Sequence, residues 1–516
     1  MPPSQGILDG NGSPNGHPNG AWDAVKQEQW NGDADVMAPA SPNPLQQGRA
    51  LIGRLGSLIL RRARSSSPGA SGPRELKRTA YLDGIRGFAA FLVYWQHHVA
   101  WAHQEGVAKT FERSFGTDGN FYFCTLPFVR LAFTGGHLAV STFFIISGYV
   151  LTAKPLALIQ AGDHARLSEN LASALFRRWL RLFIPLIVTT FCFMTFYSLS
   201  GSWVYGLVNE DGYWAELWRW YAEGKNFTFV FNLGGDPVYR YNPHLWSIPV
   251  EFRGSVLVYT TVLALSRCTR DARLLCQAAL IYYFIYIADG WYCAMFISGM
   301  LQCDLDQLSA RGELPALLAR FSGPGPIKKL VMWHLLVVTL YLGGTPSSDT
   351  KIETLAENRG WYYLSLLKPQ AVFDYKWYYL LFASTFIVGL VPRLPPLKRF
   401  FETRFCQYLG RVSYGLYLAH GPMLWLVGDR IYAAVGWHGP EQRKNLPGWI
   451  DRFPLPKVGP LGLELSFLLP HLVLLPLTLW AAELITRFVD EPSVKFAQWL
   501  YAKTVPPKPV KAAAVP

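Results

Sequence analysis

The sequence predicts an all-α integral membrane protein with about ten transmembrane helices. Three observations predict it. Of 516 residues, 51% are apolar and only 16% charged, whereas a soluble domain carries about 25% charged residues. Aromatic residues reach 15%, as expected where Trp and Tyr line both membrane interfaces. Apolar segments also follow one another from residue 82 to residue 487, with basic clusters between many of them. The formal charge of +13 does not point to nucleic acid, because the basic residues sit between apolar segments and near the N-terminus rather than on a repeated basic face. Anionic headgroups of the lipid bilayer and an anionic co-substrate are the partners it suits. The seven cysteines are scattered, without CxxC or Cys/His metal spacing, so neither a disulfide framework nor a metal is expected.

The elements follow in order. Residues 1–48, with "DGNGSPNGHPNGAW", hold little that could form a core and read as a disordered cytosolic tail. Residues 49–78 form a basic juxtamembrane segment; "LIGRLGSLILRRARSSS" within it could lie on a membrane surface or be a solvated linker. The apolar segments are 82–103, 129–153, 179–199, 248–266, 274–288, 290–303, 330–344, 377–391, 408–428 and 465–487. Several are shorter than the ~20 residues of a straight span. Basic residues precede the first segment, and others follow the second (Arg177, Arg178, Arg181), the fourth (Arg267, Arg270, Arg273) and the eighth (Arg393, Lys398, Arg399, Arg404). With both termini cytosolic, ten spans place all of these inside. The bias weakens late in the chain, where 429–463 carries five basic residues. No repeat of 20–50 residues is evident, which excludes a solenoid. Residues 496–516 read as a short cytosolic C-terminal tail.

The first segment, "LDGIRGFAAFLVYWQHH", carries ionisable groups where they are costly and, by default, functional. Arg86 and His97 are eleven residues apart. At 100° and 1.5 Å per residue they share one helix face about 16 Å apart, while His98 points about 100° away. An arginine at a cytosolic mouth can grip phosphates, and a histidine deeper in can act as a general base. The bland readings are a snorkelling Arg86 paired with Asp83 and a core His97 bonded to a backbone carbonyl. Gly84 and Gly87 suit close helix packing. In "NPHLWSIPVEFRGSV", Glu251 would lie near the depth of His97 and could orient its imidazole; the alternative is a local Glu251–Arg253 charge cluster. "VSYGLYLAHGPM" puts His420 on the ninth segment.

Five stretches in order, "YLDGIRGFAAFLVYWQHH", "FFIISGYVLT", "FRRWLRLFIP", "LWSIPVEF" and "SYGLYLAH", make the chain resemble the membrane acyltransferase type 3 family, in its fungal form. The tenth helix and "VDEP" (489–492) complete a domain over 79–495. The resemblance implies one acyltransferase domain that moves an acyl group, most often acetyl, from acyl-coenzyme A to a hydroxyl of a small metabolite, lipid or sugar. No bound cofactor is implied; acyl-CoA is a co-substrate. It makes His97 the catalytic base and Arg86 a donor contact, matches Glu251 to the carboxylate of the "WSxxVEF" motif, and matches Arg177, Arg178 and Arg181 to the basic cluster before the third helix. Tyr414 and His420 correspond to the "SYGLYLxH" positions, as substrate contacts. His98 beside His97, and His137 in the second helix, depart from the pattern. An endomembrane such as the endoplasmic reticulum is the expected location. The alternative from another class is a transporter using the same His, Glu and Arg as a proton or substrate path, although no inverted repeat is visible. An inactive binding member is a third.

Overall fold

Each apolar segment read from the sequence falls largely within helix, and the caps explain several of the starts. The computed structural model describes residues 76–103, 108–231, 238–323 and 325–506. The tail expected over 1–48, the basic segment up to residue 75 and the last ten residues of the C-terminal tail lie outside the described residues. Helix α1 is Ala80–Ala102, α2 is Gly136–Gln160 and α3 is His164–Ser200. The Asp163 side chain caps α3 by accepting from the Arg166 N–H, and Gly201 at φ 58° ends it. Helix α4 is Tyr213–Thr228, α5 is Ser247–Ala264, α6 is Arg270–Tyr282 and α7 is Trp291–Arg311. Helix α8 is Pro326–Gly343, α9 is Tyr375–Leu390 and α10 is Pro395–Phe401. Helix α11, Arg404–Met423, starts at a Thr403 cap on the Cys406 N–H and runs on through a π turn, Leu424–Gly428. Helix α12, His471–Ile485, continues through a second π turn into α13, Glu491–Thr504. No strand occurs among the described residues.

Fewer spans than the ten expected meet a length and composition test. Among the described residues, four helical stretches are long and apolar enough to cross a membrane: Gly136–Gln160, His164–Ser200, Pro326–Gly343 and Leu465–Thr504. A fifth counts if Tyr375–Arg393 and Pro395–Phe401, bent by 98°, are one span. The other helices are too short or too polar. Helix α1 carries Asp83, Arg86 and two histidines, and α5 carries Glu251 and Arg253.

Small residues set the tightest contacts. A Cβ on Gly87 would sit 2.2 Å from the Gly410 nitrogen, and one on Gly410 would sit 2.4 Å from the Asp83 carbonyl oxygen. Backbone therefore meets backbone between α1 and α11, as Gly84 and Gly87 suggested. Helices α2 and α7 use the same device, with Gly148 against the Phe296 carbonyl and Gly299 against that of Ile145. Helices α1 and α11 run in the same direction, because Arg86 meets Gly410 while His97 meets His420. Helix α5 runs against them: Ser247 meets Tyr417, and Glu251, a turn later, reaches Arg178 on α3. The polar site is thus walled by α1, α3, α5 and α11 and packed in an apolar core that includes Val93, Phe183, Leu245, Leu418 and Trp425.

Candidate active site

The α1–α11 contact fixes two layers. In the first, Arg86 donates from Nε to Ser413 Oγ at 3.1 Å and from Nη2 to the Gly410 carbonyl at 3.1 Å, and pairs with Asp83 at 2.9 Å. Its side chain keeps 40% exposure, so the guanidinium is anchored yet reachable. Eleven residues along α1 lies His97, and ten along α11 from Gly410 lies His420. Equal rises of about 15–16 Å bring the two rings together in the second layer.

That layer holds three imidazoles. The ring centroid of His97 is 3.9 Å from that of His244 and 5.0 Å from that of His420, and His244 and His420 stand 4.9 Å apart. One ring nitrogen of each lies within 4.8 Å of the other two. The Nδ1 atoms of His97 and His420 face the Val93 and Tyr417 carbonyls at 2.8 and 2.7 Å. A carbonyl only accepts, so both nitrogens carry the hydrogen and leave Nε2 with its lone pair when neutral. Nε2 of His420 and Nδ1 of His244 are buried with no hydrogen-bond partner among the described residues. His97 and His244 are half-buried, and His420 is buried. The bland expectation of a carbonyl-bonded His97 is therefore met at one nitrogen, and it is this bond that aims the other.

His98 occupies a separate cluster. Its Nδ1 lies 2.9 Å from the Tyr432 hydroxyl, which lies 3.3 Å from Nε2 of His471, whose Nδ1 meets the Tyr94 hydroxyl at 2.9 Å. His98 is 1% exposed, closed off by Tyr94 and Tyr432. Helix phase alone separates the twin histidines, as the spacing indicated.

Glu251 is placed differently from expectation. It does not meet His97; it receives Arg178 Nη2, and Arg178 Nε donates to Ser255 Oγ at 2.8 Å. Glu251 lies four residues beyond Ser247 on an antiparallel helix, so it sits about 6 Å from the Ser247–Tyr417 level, in the arginine layer. The side chains of Arg178 and Glu251 are 11% and 12% exposed, and a charge at that depth takes the nearest opposite charge. Arg253 donates from Nε to the Val230 carbonyl. The basic cluster divides: Arg177 donates to Ser173 O on its own helix, Arg178 is neutralised, and Arg181 is exposed. The Tyr414 hydroxyl is spent on the Leu182 carbonyl, clasping α11 to α3. His137 reaches Gln96 and Glu112 rather than the histidine layer.

Four further residues complete the layers without having been singled out. His244 stands in "NPHLW", the opening of the stretch that drew attention to Glu251. Asn242 donates to the Leu418 carbonyl. Ser247 meets the Tyr417 hydroxyl at 2.6 Å, and Tyr417 in turn donates to the His244 carbonyl. Tyr417 was visible as the second tyrosine of "SYGLYLAH"; only the direction α11 takes against α5 gives it this place.

A family model described as an acyltransferase domain matches residues 79–482. Among curated proteins, an O-acetyltransferase of Phomopsis amygdali, PaAT-1, is 29% identical over 83% of this chain and 86% of its own length. Acyltransferase R4 of a Phoma species and acyltransferase clz18 of Cochliobolus lunatus are each 24% identical, over 83% of this chain and 97% of their own. No solved structure matches.

Proposed function

This chain belongs to the acyltransferase-domain family, and on that premise we propose that it is a membrane-embedded O-acyltransferase using acyl-coenzyme A, with acetyl as the group carried. The observation that carries this reading is the two-layer column. Arg86 is anchored but reachable, and His97 stands about 16 Å along the same helix face with its Nε2 aimed into a half-buried polar cluster. The name of the Phomopsis relative supports transfer of acetyl to oxygen. The bilayer, crossed by the apolar helices, supplies the low-dielectric surroundings.

The donor's phosphates meet Arg86 and Arg181 from the cytosolic side, where guanidinium groups suit a polyanion. The pantetheine arm carries the thioester along the column to His97. His97 Nε2 takes the proton of an acceptor hydroxyl, whose oxygen bonds to the thioester carbonyl carbon. The tetrahedral intermediate collapses, the C–S bond breaks, and the coenzyme A sulfur takes the proton back from His97. A positioned base contributes about 10²–10⁴ in rate; the remainder comes from orientation and charge stabilisation. Glu251 acts in this scheme on Arg178, not on the imidazole.

The test uses purified full-length protein and labelled acetyl-coenzyme A with a hydroxyl acceptor. His97→Ala lowers transfer at least ~10²-fold, while His98→Ala retains most of it. Full activity in His97→Ala refutes the base assignment. Arg86→Ala raises the donor KM more than the acceptor KM; an unchanged donor KM refutes the donor site. Coenzyme A release separates this reading from transport, which consumes no thioester.

A further inference from the structure

Base catalysis needs one imidazole, yet three meet here. They come from α1, from the turn before α5 and from α11, so no short sequence spacing announces them. A zinc ion held tetrahedrally by three imidazoles at about 2.0–2.1 Å sets the ring centroids roughly 5 Å apart. The separations of 5.0 and 4.9 Å already match, and the third, 3.9 Å, falls short. Opening it by about 1 Å moves one half-buried ring. Metal-bound histidines usually donate their other ring N–H to a carbonyl or carboxylate, which fixes the tautomer. His97 and His420 do so already, to Val93 and Tyr417. Buried polar atoms are nearly always satisfied, but His420 Nε2, His244 Nδ1 and Asn242 Oδ1 lack a partner among the described residues. A Cβ at Gly421 would fall 2.8 Å from that His244 nitrogen and 3.0 Å from that Asn242 oxygen, so the glycine keeps both open. In the second histidine cluster both ring nitrogens of His471 are taken by tyrosine hydroxyls, and His98 Nε2 is the one ring nitrogen there that lacks a partner among the described residues.

We propose that His97, His244 and His420 bind one divalent cation of the zinc type, and that the bound ion holds the enzyme inactive. Three neutral imidazole donors suit zinc, cobalt, nickel or copper and not the oxygen-seeking magnesium or calcium. The lone pair of His97 cannot both coordinate an ion and accept a proton from a hydroxyl. The inhibitory half rests on the base role given above to His97; the binding half does not.

The experiment takes the full-length chain in detergent, strips it with a chelator and titrates zinc and cobalt(II). One ion binds per chain, and cobalt gives the intense visible bands of tetrahedral coordination. Binding weakens at least ~100-fold in His244→Ala and in His420→Ala, and it is retained in His98→Ala. Elution profile and helical circular dichroism identify folded variants, and His420→Gln replaces His420→Ala if the latter does not fold. Stripped protein transfers acetyl, one equivalent of zinc stops it, and excess chelator restores it. Less than stoichiometric binding, or unchanged binding in both folded variants, overturns the site. Stripped protein that is inactive until zinc is added overturns the inhibition. Stoichiometric binding by protein that transfers acetyl in neither state overturns the proposed function and leaves the site standing.

Discussion

At Glu251 the carboxylate faces a guanidinium, and this changes what its removal should do. The pair with Arg178 is nearly enclosed. Breaking a buried pair from one side leaves the other charge stranded, at about 3–5 kcal/mol. Glu251→Gln and Arg178→Ala should each destabilise the protein by amounts of this order, and the double variant by clearly less than their sum. Thermal unfolding in detergent of the four proteins checks this; additive losses would show that the two do not act as a unit. Glu112, in a connecting segment, offers a pH test. Burial pushes its carboxyl up, but hydrogen bonding from His137 and Ser347 and the charge of Arg130 outweigh that and bring it from the usual 4.5 to about 2. A carboxyl depressed on folding contributes stability above its unfolded pKa and loses it as pH falls through the folded one. The gap in Tm between wild type and Glu112→Gln should therefore be full at pH 6 and shrink from pH 4.5 toward pH 2. A gap that stays constant over that range would rule the ionised state out as its source.

At the scale of the element, the α1–α11 seam does the positioning. Gly87 and Gly410 let two backbones touch, and the parallel run then carries a fixed register from Arg86–Gly410 to His97–His420. Gly410→Leu puts a side chain where the Asp83 carbonyl stands. Overpacking of this kind costs about 1–3 kcal/mol, but the larger effect should be on rate, because spreading the seam moves both layers. We expect kcat with acetyl-coenzyme A to fall at least ~10²-fold, with helical content unchanged. A Gly410→Leu protein of normal kcat would mean that the seam is not what sets His97. This seam is also where the sequence was most legible. Arg86, His97 and the small residues lie on one helix, so period and rise suffice to relate them. Glu251 was misplaced because one helical turn on α5 separates the histidine depth from the arginine depth, and its partner, Arg178, lies on another helix. His244 was overlooked because a histidine in a loop-like "NPHLW" carries no period at all.

Across the whole molecule, one polar cluster contributes to stability away from the arginine and histidine layers. Far along α7 from its first turn, Asp304 accepts from Arg273 Nε and Nη2 at 2.7 and 2.9 Å, from Gln277 at 3.0 Å and from Gln160 at 3.0 Å. These donors belong to α6 and to the last turn of α2, so one carboxylate ties three helices together, at 0% exposure. None of its partners belongs to the arginine or histidine layers. Asp304→Ala strands Arg273 in the interior and should cost about 3–5 kcal/mol. Its folded fraction should nonetheless keep wild-type KM for donor and acceptor, since α1 and α11 keep their own seam. His97→Ala should show the reverse, a Tm near that of wild type with transfer lost, because His97 Nδ1 bonds to a carbonyl of its own helix. Measuring Tm and both KM values on the two variants decides the matter. If Asp304→Ala raised the donor KM while remaining folded, the α2–α6–α7 cluster would belong to the donor site.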